Sequence, residues 1–146
     1  MSDFVHLHVH SDYSLLDGAA SIKKLIARAK ELGMNALALT DHGNMFGALR
    51  FEQECHNAGI NPLVGCEFYV AGGYRKKKTG TEQGNKYYHL VLIAKDEEGY
   101  KNLMILTSKA YIEGMYYKPR IDEEKKKNHS KGLICLSACL AGQLPQ

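Results

Sequence analysis

The sequence lacks any run of 18 or more apolar residues, which is the length that a transmembrane helix requires. Its first residues, Met1-Ser2-Asp3, also lack the basic and then apolar pattern of a secretory signal. These two absences exclude the common membrane-spanning and secreted classes. We therefore expect a cytoplasmic protein with no membrane partner.

Cysteine is scarce, and its spacing is uninformative. The four cysteines include no CxxC pair; they are Cys55, Cys66, Cys135 and Cys139. Small secreted domains that depend on disulfides carry cysteine at higher density. We therefore predict that all four are free thiols.

The excess of positive over negative charge is also small, because the formal net charge is only +3. A charge this small does not establish a nucleic-acid partner, although lysines concentrate at residues 76–78 and 125–127. We interpret each lysine run as a solvated loop. With 45% hydrophobic and 24% charged residues, the chain has the composition of one globular domain.

Strand-like and helix-like segments alternate along the chain, which is typical of an α/β fold with a largely parallel sheet. The predicted strands cover residues 4–10, 36–40, 62–70, 88–94 and 133–137. The predicted helices cover residues 22–32, with Ser21 as N-cap, 45–58 and 97–112. Residues 72–86 are polar, basic and rich in glycine, so we predict a mobile loop there.

Five strands are fewer than a closed barrel of alternating strands and helices contains, since such a barrel needs on the order of 250 residues. The sequence ends at Leu144-Pro145-Gln146 without a closing element. We therefore expect this chain to be part of a larger domain.

Three histidines, His6, His8 and His10, alternate along the first predicted strand and so project from one face. Apolar residues normally occupy such positions. Imidazoles two residues apart can converge on one metal ion, whereas in an apolar core each would need a polar partner. We predict that His8 and His10 are metal ligands and favour a structural role for His6.

Other polar residues end or interrupt the later strands. Asp41, beside His42 after the second strand, belongs either to a site or to a turn that its carboxylate caps. Glu67 and His89 interrupt the third and fourth strands, and a lone buried carboxylate is costly unless it is paired or bound to metal. Cys139, after the last strand, is either a soft ligand or a small packing residue.

Successive strand ends lie side by side in a parallel sheet, so we expect these side chains to gather in one cleft. A mixed cluster of histidine and carboxylate matches Zn²⁺, Mn²⁺ or Fe²⁺ in a site with more than one ion, which suits phosphate ester hydrolysis. Arg120, which follows Pro119, is either a phosphate clamp or a surface arginine after a proline turn.

Several motifs resemble the PHP domain family, named for polymerase and histidinol phosphatase. The opening motif is Leu7-His8-Val9-His10-Ser11-Asp12-Tyr13-Ser14-Leu15-Leu16-Asp17-Gly18-Ala19, and the later ones are Thr40-Asp41-His42-Gly43, Gly65-Cys66-Glu67 and Tyr88-His89-Leu90-Val91. The long first motif, together with Tyr117-Lys118-Pro119-Arg120-Ile121-Asp122 and Leu136-Ser137-Ala138-Cys139-Leu140, is similar to the PHP domains of bacterial polymerase III alpha subunits.

The resemblance implies a distorted barrel of seven βα units, of which residues 1–146 would be the N-terminal portion. It implies up to three divalent ions, zinc, manganese or iron, in a cleft at the strand ends. The implied ligands are His8, His10, Asp17, His42, Glu67, His89 and Cys139. Asp41 and His6 would stand behind these ligands, and Asp41 and Arg120 are our candidate catalytic residues. The family's late Asp-x-His pair is absent after Cys139, in agreement with an incomplete domain.

The activity implied by the resemblance is metal-dependent 3′-5′ removal of nucleotides, as proofreading within a DNA-directed DNA polymerase. The implied partners are DNA and the other subunits of a polymerase III holoenzyme. The family places its polymerising residues far downstream, so this chain alone is not expected to polymerise. Two alternatives stay open: a free-standing PHP phosphatase acting on a small phosphomonoester such as histidinol phosphate, and a structural scaffold.

Overall fold

The computed structural model describes residues 4–15, 17–78, 87–140 and 142. The helices of this part are α1 (Ile22–Glu31), α2 (Ala48–Ala58), α3 (Glu97–Gly114) and α4 (Glu123–Asn128). The strands are β1 (Ala36–Leu39), β2 (Asn61–Ala71), β3 (Tyr87–Ala94), β4 (Arg120–Ile121) and β5 (Leu133–Leu136). The predicted α/β class is confirmed. None of these helices has both the length and the apolar character needed to cross a membrane.

The helix boundaries follow local sequence signals. Helix α1 begins after Ser21, as predicted, although the Ser21 side chain makes no capping hydrogen bond. Helix α2 begins three residues later than predicted and ends at Gly59, whose φ of 72° is in the left-handed region that glycine favours. Helix α3 begins after Asp96, whose side chain accepts a hydrogen bond from the Gly99 backbone, and it continues two residues past the predicted end.

The sheet is mixed, so the prediction of a largely parallel sheet is wrong. Strand β2 is central: β1 and β4 pair with it in parallel, whereas β3 pairs with it antiparallel. Strand β5 pairs with β3, again antiparallel. The connection between β2 and β3, residues 72–86, carries no predicted helix, and a helix is the usual crossover between parallel strands.

The predicted strand at residues 4–10 is not a regular strand. The carbonyls of His6 and Val9 accept hydrogen bonds from the backbone N–H groups of Ala38 and Thr40, at 3.0 and 2.8 Å. The Val9 N–H, however, donates to the Thr40 hydroxyl at 2.8 Å. A side chain thus takes the place of a backbone carbonyl, and the segment lies beside β1 without forming a continuous ladder.

The fifth strand is instead β4, which is followed by the short helix α4. Neither was predicted: a strand of two residues has no measurable periodicity, and residues 125–127, which we interpreted as a solvated loop, lie in α4. Residues 72–78 form turns and bends, and the rest of the predicted mobile loop, residues 79–86, lies outside the described part of the chain. Leu16 and residues 144–146, which belong to the quoted motifs and ending, also lie outside it.

Apolar side chains pack in two main groups between the helices and one face of the sheet. One joins α1, α2 and β1; it includes Ile22, Ile26, Leu37, Leu39 and Phe51. The other joins α3 to β2 and β3; it includes Cys66, Phe68, Val70, Leu90, Leu92, Leu103 and Leu106. Because side chains alternate along a strand, Cys66, Phe68 and Val70 of β2 face α3, and Glu67 and Tyr69 face away from it. The four cysteines are free thiols, as predicted.

Candidate metal centre

The site is built around the carboxylate of Glu67, whose side chain is only 1% exposed. Its Oε2 lies 2.8 Å from His8 Nε2, 3.0 Å from His10 Nε2 and 3.3 Å from His42 Nδ1. Its Oε1 lies 2.5 Å from His89 Nδ1. One buried carboxylate therefore has four imidazoles around it.

Neighbouring segments of the sheet bring these side chains together. The backbone around His42 continues the pairing of β1 with β2: the Glu67 N–H donates to Asp41 O at 3.0 Å, and the Gly43 N–H donates to Glu67 O at 2.8 Å. On the other side, His89 pairs in register with Tyr69. The expected gathering is thus found, but the antiparallel β3 supplies His89 near its beginning rather than at its end.

All seven predicted ligands fall into three groups whose donor atoms lie within 4.8 Å of one another. The groups are His8, His10 and Glu67; His10, Asp17 and His42; and Glu67, His89 and Cys139. We call these seven residues the Glu67 cluster. Because His10 and Glu67 each belong to two groups, ions held by neighbouring groups would be adjacent. The ligand roles themselves stay predictions.

Three polar atoms of the cluster are buried without a hydrogen-bond partner: His10 Nδ1, His42 Nδ1 and Glu67 Oε1. The last two lie at ion-pair distance from a neighbour but not in hydrogen-bond geometry. Buried polar atoms are rarely left unpaired, because their desolvation is costly. Mixed imidazole and carboxylate donors are ligands of divalent transition metals, so the residues present fit such an ion.

The charges of the cluster reinforce this arrangement. Burial alone would raise the pKa of Glu67, but the imidazoles of His10, His8 and His89 beside its carboxylate hold its pKa well below the usual range. Burial likewise opposes charging of His10, but the hydrogen bond and charge of Glu67 raise the pKa of His10 overall. Glu67 is therefore an anion at neutral pH, as a metal ligand must be.

Asp41 lies behind the cluster and supports it. Its Oδ1 accepts hydrogen bonds from the Ser11 N–H and the Ser14 hydroxyl, both at 2.6 Å, and its Oδ2 accepts from the Ser11 hydroxyl at 2.8 Å. The Ser14 hydroxyl in turn accepts from the His42 N–H at 3.0 Å. Of the two alternatives, these contacts favour the turn, and the catalytic role of Asp41 stays a prediction.

Ser11 and Ser14 are the supporting residues that sequence reasoning missed. Both are buried, yet in the sequence they look like ordinary turn residues. Only their pairing with Asp41, roughly thirty positions away, distinguishes them. His6 belongs to none of the three groups; it is exposed, with its ring against Phe4, and it lines a cavity with His8, His10 and Asp17.

Arg120 is not a surface arginine, because it is only 3% exposed. Its Nε donates to Gly114 O at 3.1 Å, and its Nη2 donates to the carbonyls of Arg75 and Lys77 at 2.9 and 3.1 Å. A phosphate clamp needs donors that face the ligand. These donors bind backbone instead, so the placement of Arg120 gives its predicted catalytic role no support.

Tyr69 is a further neighbour of the cluster that sequence reasoning missed. Its ring centroid lies 6.2 Å from that of His42 and 5.3 Å from that of His89. Burial, followed by the charge of Glu67, raises the pKa of Tyr69 to about 12, so its hydroxyl is protonated at neutral pH. Its position two residues after Glu67 in the strand was the available signal.

Curated proteins similar to this chain are subunits of a polymerase. DNA polymerase III subunit alpha of Treponema pallidum is 63% identical over 142 residues, which is 97% of this chain and 12% of the relative. The same subunit of Borreliella burgdorferi is 54% identical over 145 residues, 99% of this chain and 13% of the relative. The chain thus spans about one eighth of these relatives' length.

Solved structures with a similar fold include an amidohydrolase from Chromobacterium violaceum, with a TM-score of 0.52 and 26% identity over 73% of this chain and 32% of that one. A protein described as a metal-dependent phosphoesterase, from Bifidobacterium adolescentis, has a TM-score of 0.53 and 17% identity over 75% of this chain and 34% of that one. The family model described as "PHP domain" matches residues 6–146. This chain therefore belongs to the PHP domain family.

Proposed function

We propose that this chain is the N-terminal portion of the PHP domain of a bacterial DNA polymerase III alpha subunit, with a metal-dependent phosphoesterase site at the Glu67 cluster. The observation that carries the site proposal is a buried carboxylate among four imidazoles, with three polar atoms left unpaired. The polymerase context is supported by the close relatives, which are much longer alpha subunits.

The cluster would hold up to three divalent ions, one at each of its groups. Nitrogen, oxygen and sulfur donors together suit zinc, and the groups without Cys139 also suit manganese or iron. The two oxygens of Glu67 face different imidazoles, so this carboxylate would be shared between ions. When bound, the ions supply an activated water and neutralise charge on the phosphate oxygens.

The protein's own residues fix the donors. Asp41 holds the turn at residues 11–14, and Ser14 of that turn holds the backbone of His42. Support of this kind behind metal ligands keeps their orientation fixed. The ring of Tyr69 lies beside those of His42 and His89 and adds an uncharged neighbour at the edge of the cluster.

The substrate that we propose is the 3′ end of a DNA strand, with 3′-5′ nucleotide removal in the cytoplasm alongside other polymerase III holoenzyme subunits. The amidohydrolase of the same fold holds bound SO₄ and no metal, so a tetrahedral anion binds in that relative. The alternative of a free-standing phosphatase is not favoured, because the close relatives are polymerase subunits. DNA-directed polymerisation would belong to the longer protein.

The metal proposal can be tested in the longer protein that carries this chain. We expect purified protein to contain zinc or a similar ion and to lose it in the His8→Ala, His10→Ala double variant, as measured by elemental mass spectrometry. The matched control is His56→Ala, which removes an exposed imidazole of α2 that pairs with Glu52. Metal content unchanged by the double substitution would show that the site is assigned wrongly.

The activity is tested separately, with metal-loaded protein and single-stranded DNA labelled at its 5′ end. We expect shortening from the 3′ end in the presence of Mn²⁺ or Zn²⁺, and loss of that shortening in the double variant. Loaded protein that leaves the strand intact would contradict the phosphoesterase proposal and favour a structural metal.

A further inference from the structure

A strained turn precedes Arg120 and sets the direction of Lys118. Tyr116 and Lys118 exchange two backbone hydrogen bonds, of 3.1 and 2.7 Å, which closes a turn around Tyr117. Tyr117 has φ of 56°, in the left-handed region. A non-glycine residue there is strained, and such strain concentrates at functional sites.

The turn packs directly against the backbone beside a cluster residue. A Cβ added to Gly43, which follows His42, would lie 2.9 Å from Pro119 Cγ and 3.1 Å from Tyr69 Cε2. Gly43 also has φ of 63°, so it needs glycine for both space and conformation. The position of the turn is therefore fixed relative to the Glu67 cluster.

Lys118 follows Tyr117 in the turn, and its charged side chain is exposed near the Glu67 cluster. Pro119 and Arg120 are buried, whereas Lys118 is exposed. Its Nζ lies over the Tyr69 ring, 5.4 Å from the centroid, and that ring also neighbours His42 and His89. A cation over an aromatic ring is stabilised without losing its charge.

No carboxylate among the described residues forms a salt bridge with Lys118, in contrast to Lys101 or Lys109, which pair with glutamates of their own helix. The ammonium therefore keeps its donors for an incoming group. Near a site that would receive a phosphodiester, the fitting partner is a phosphate oxygen.

We propose that Lys118 binds a non-bridging phosphate oxygen of the substrate beside the Glu67 cluster. This inference rests on the proposed phosphoesterase function. It assigns phosphate binding to Lys118, because Arg120, the predicted phosphate clamp, is buried. Tyr69 is the positioning residue, because its ring carries the ammonium on one side of the cluster. The chemistry recognised is the phosphate group itself, whether free or within a nucleic acid.

The test uses the longer protein, loaded with metal, and inorganic phosphate as the probe in titration calorimetry. We expect Lys118→Ala to raise the Kd for phosphate about tenfold, as loss of one charge-assisted contact does. Lys118→Arg keeps the charge and the stacking on Tyr69, so we expect it to restore most of the binding. Lys127→Ala, an exposed lysine of α4, is the matched control and should not change the Kd.

Metal content and hydrolysis of a nitrophenyl ester of thymidine 5′-phosphate complete the test. We expect all three lysine variants to keep their metal, and Lys118→Ala to raise KM more than it lowers kcat. Equal phosphate affinity in Lys118→Ala and the parent would overturn the inference, whatever the hydrolysis shows. Lysine-dependent phosphate binding without any hydrolysis would instead support the inference and contradict the proposed function.

Discussion

The Glu67 cluster and the group around Arg75 both bury charged side chains, yet they differ in how completely those charges are paired. Arg75 donates through Nε to Glu113 at 2.9 Å and through Nη1 to Asp122 at 2.9 Å, and its own N–H donates to Asp122 at 3.1 Å. Its carbonyl accepts from Arg120. Within the described part of the chain, the buried side-chain nitrogen and oxygen atoms without a hydrogen-bond partner all belong to the Glu67 cluster instead.

We interpret this difference as one between a region that stabilises the fold, around Arg75, and a region that binds a ligand, the Glu67 cluster. A buried network in which every charge has a partner holds segments together, here residues 72–78 against the end of α3 and the start of α4. A buried group whose polar atoms lack hydrogen-bond partners lowers the stability of the fold. Proteins keep such a group where a ligand binds. Four predictions test this contrast.

The largest effect on stability is expected from Arg75→Ala. Removing the guanidinium leaves the buried carboxylate of Asp122 without its cation and Glu113 with Lys109 alone; loss of one partner of a buried ion pair typically costs about 3–5 kcal/mol. Hydrogen exchange at the amides of α3 and β4 would measure the loss as weaker protection. Arg28→Ala, which breaks an exposed pair with Glu31, should cost less than about 1 kcal/mol. A folded Arg75→Ala protein that had lost its metal would show that the two regions are not separable.

The largest effect on metal binding is expected from Glu67→Gln. The substitution keeps the shape but removes the charge that four imidazoles share, so we expect metal affinity to fall by at least about 100-fold, or ~2.8 kcal/mol. Competition with a chelating dye measures it. Glu113→Gln, in the fully paired group, should leave the affinity unchanged, and an equal loss there would contradict the contrast.

A smaller effect is expected from Asp41→Asn, which acts through Ser14 on His42. The amide would present an N–H to one of the serine donors, so the turn at residues 11–14 would shift. We expect about a tenfold loss of metal affinity, the lower end for residues that support ligands. Asp96→Asn, at the start of α3, is the control and should not alter the affinity. Unchanged affinity in Asp41→Asn would mean that the turn does not orient His42.

The smallest effect is a shift of stability with pH. Burial opposes ionisation of Asp122, but hydrogen bonds from Arg75 and Lys125 lower the pKa of Asp122 overall. The pKa of Glu113 is also lowered, to about 2, by hydrogen bonds from Lys109 and Arg75. A carboxyl whose folded pKa is lowered stabilises the fold above its unfolded pKa, about 4, and the contribution disappears as pH falls through the folded value. The stability difference between parent and Asp122→Asn should therefore be constant above pH 5 and shrink below pH 4 in urea titrations. A difference that stays constant down to pH 2 would contradict the pairing of Asp122 with Arg75.

Much of the fold was predictable because its signals are local. The helix at residues 22–31 follows from apolar spacing and from Gly33, and β1, β2, β3 and β5 lie within a few residues of their predicted bounds. The strand order was less accessible. Antiparallel pairing of β2 with β3 depends on how residues 72–86 connect them, and the failure of residues 4–10 to form a strand depends on the hydroxyl of Thr40.

The donors of the site were predictable for a different reason, since imidazoles and a carboxylate at strand positions are costly anywhere else. The partners of Asp41 and Arg120 were not predictable. Asp41 binds serines about thirty residues away, and Arg120 binds carbonyls more than forty residues away. A sequence shows that such a side chain is polar, but only the folded chain shows which way it faces.

The long separations within the Glu67 cluster also bear on how this region folds. His8 and Glu67 are 59 residues apart, and His89 and Cys139 are 50 apart. Contacts of such range close only after much of the chain is ordered, so we expect the cluster to assemble late and an unfolded chain to offer no ready site. An ion that binds only the native chain stabilises it by mass action. Metal supply would then govern how long this region stays folded, not how quickly it folds.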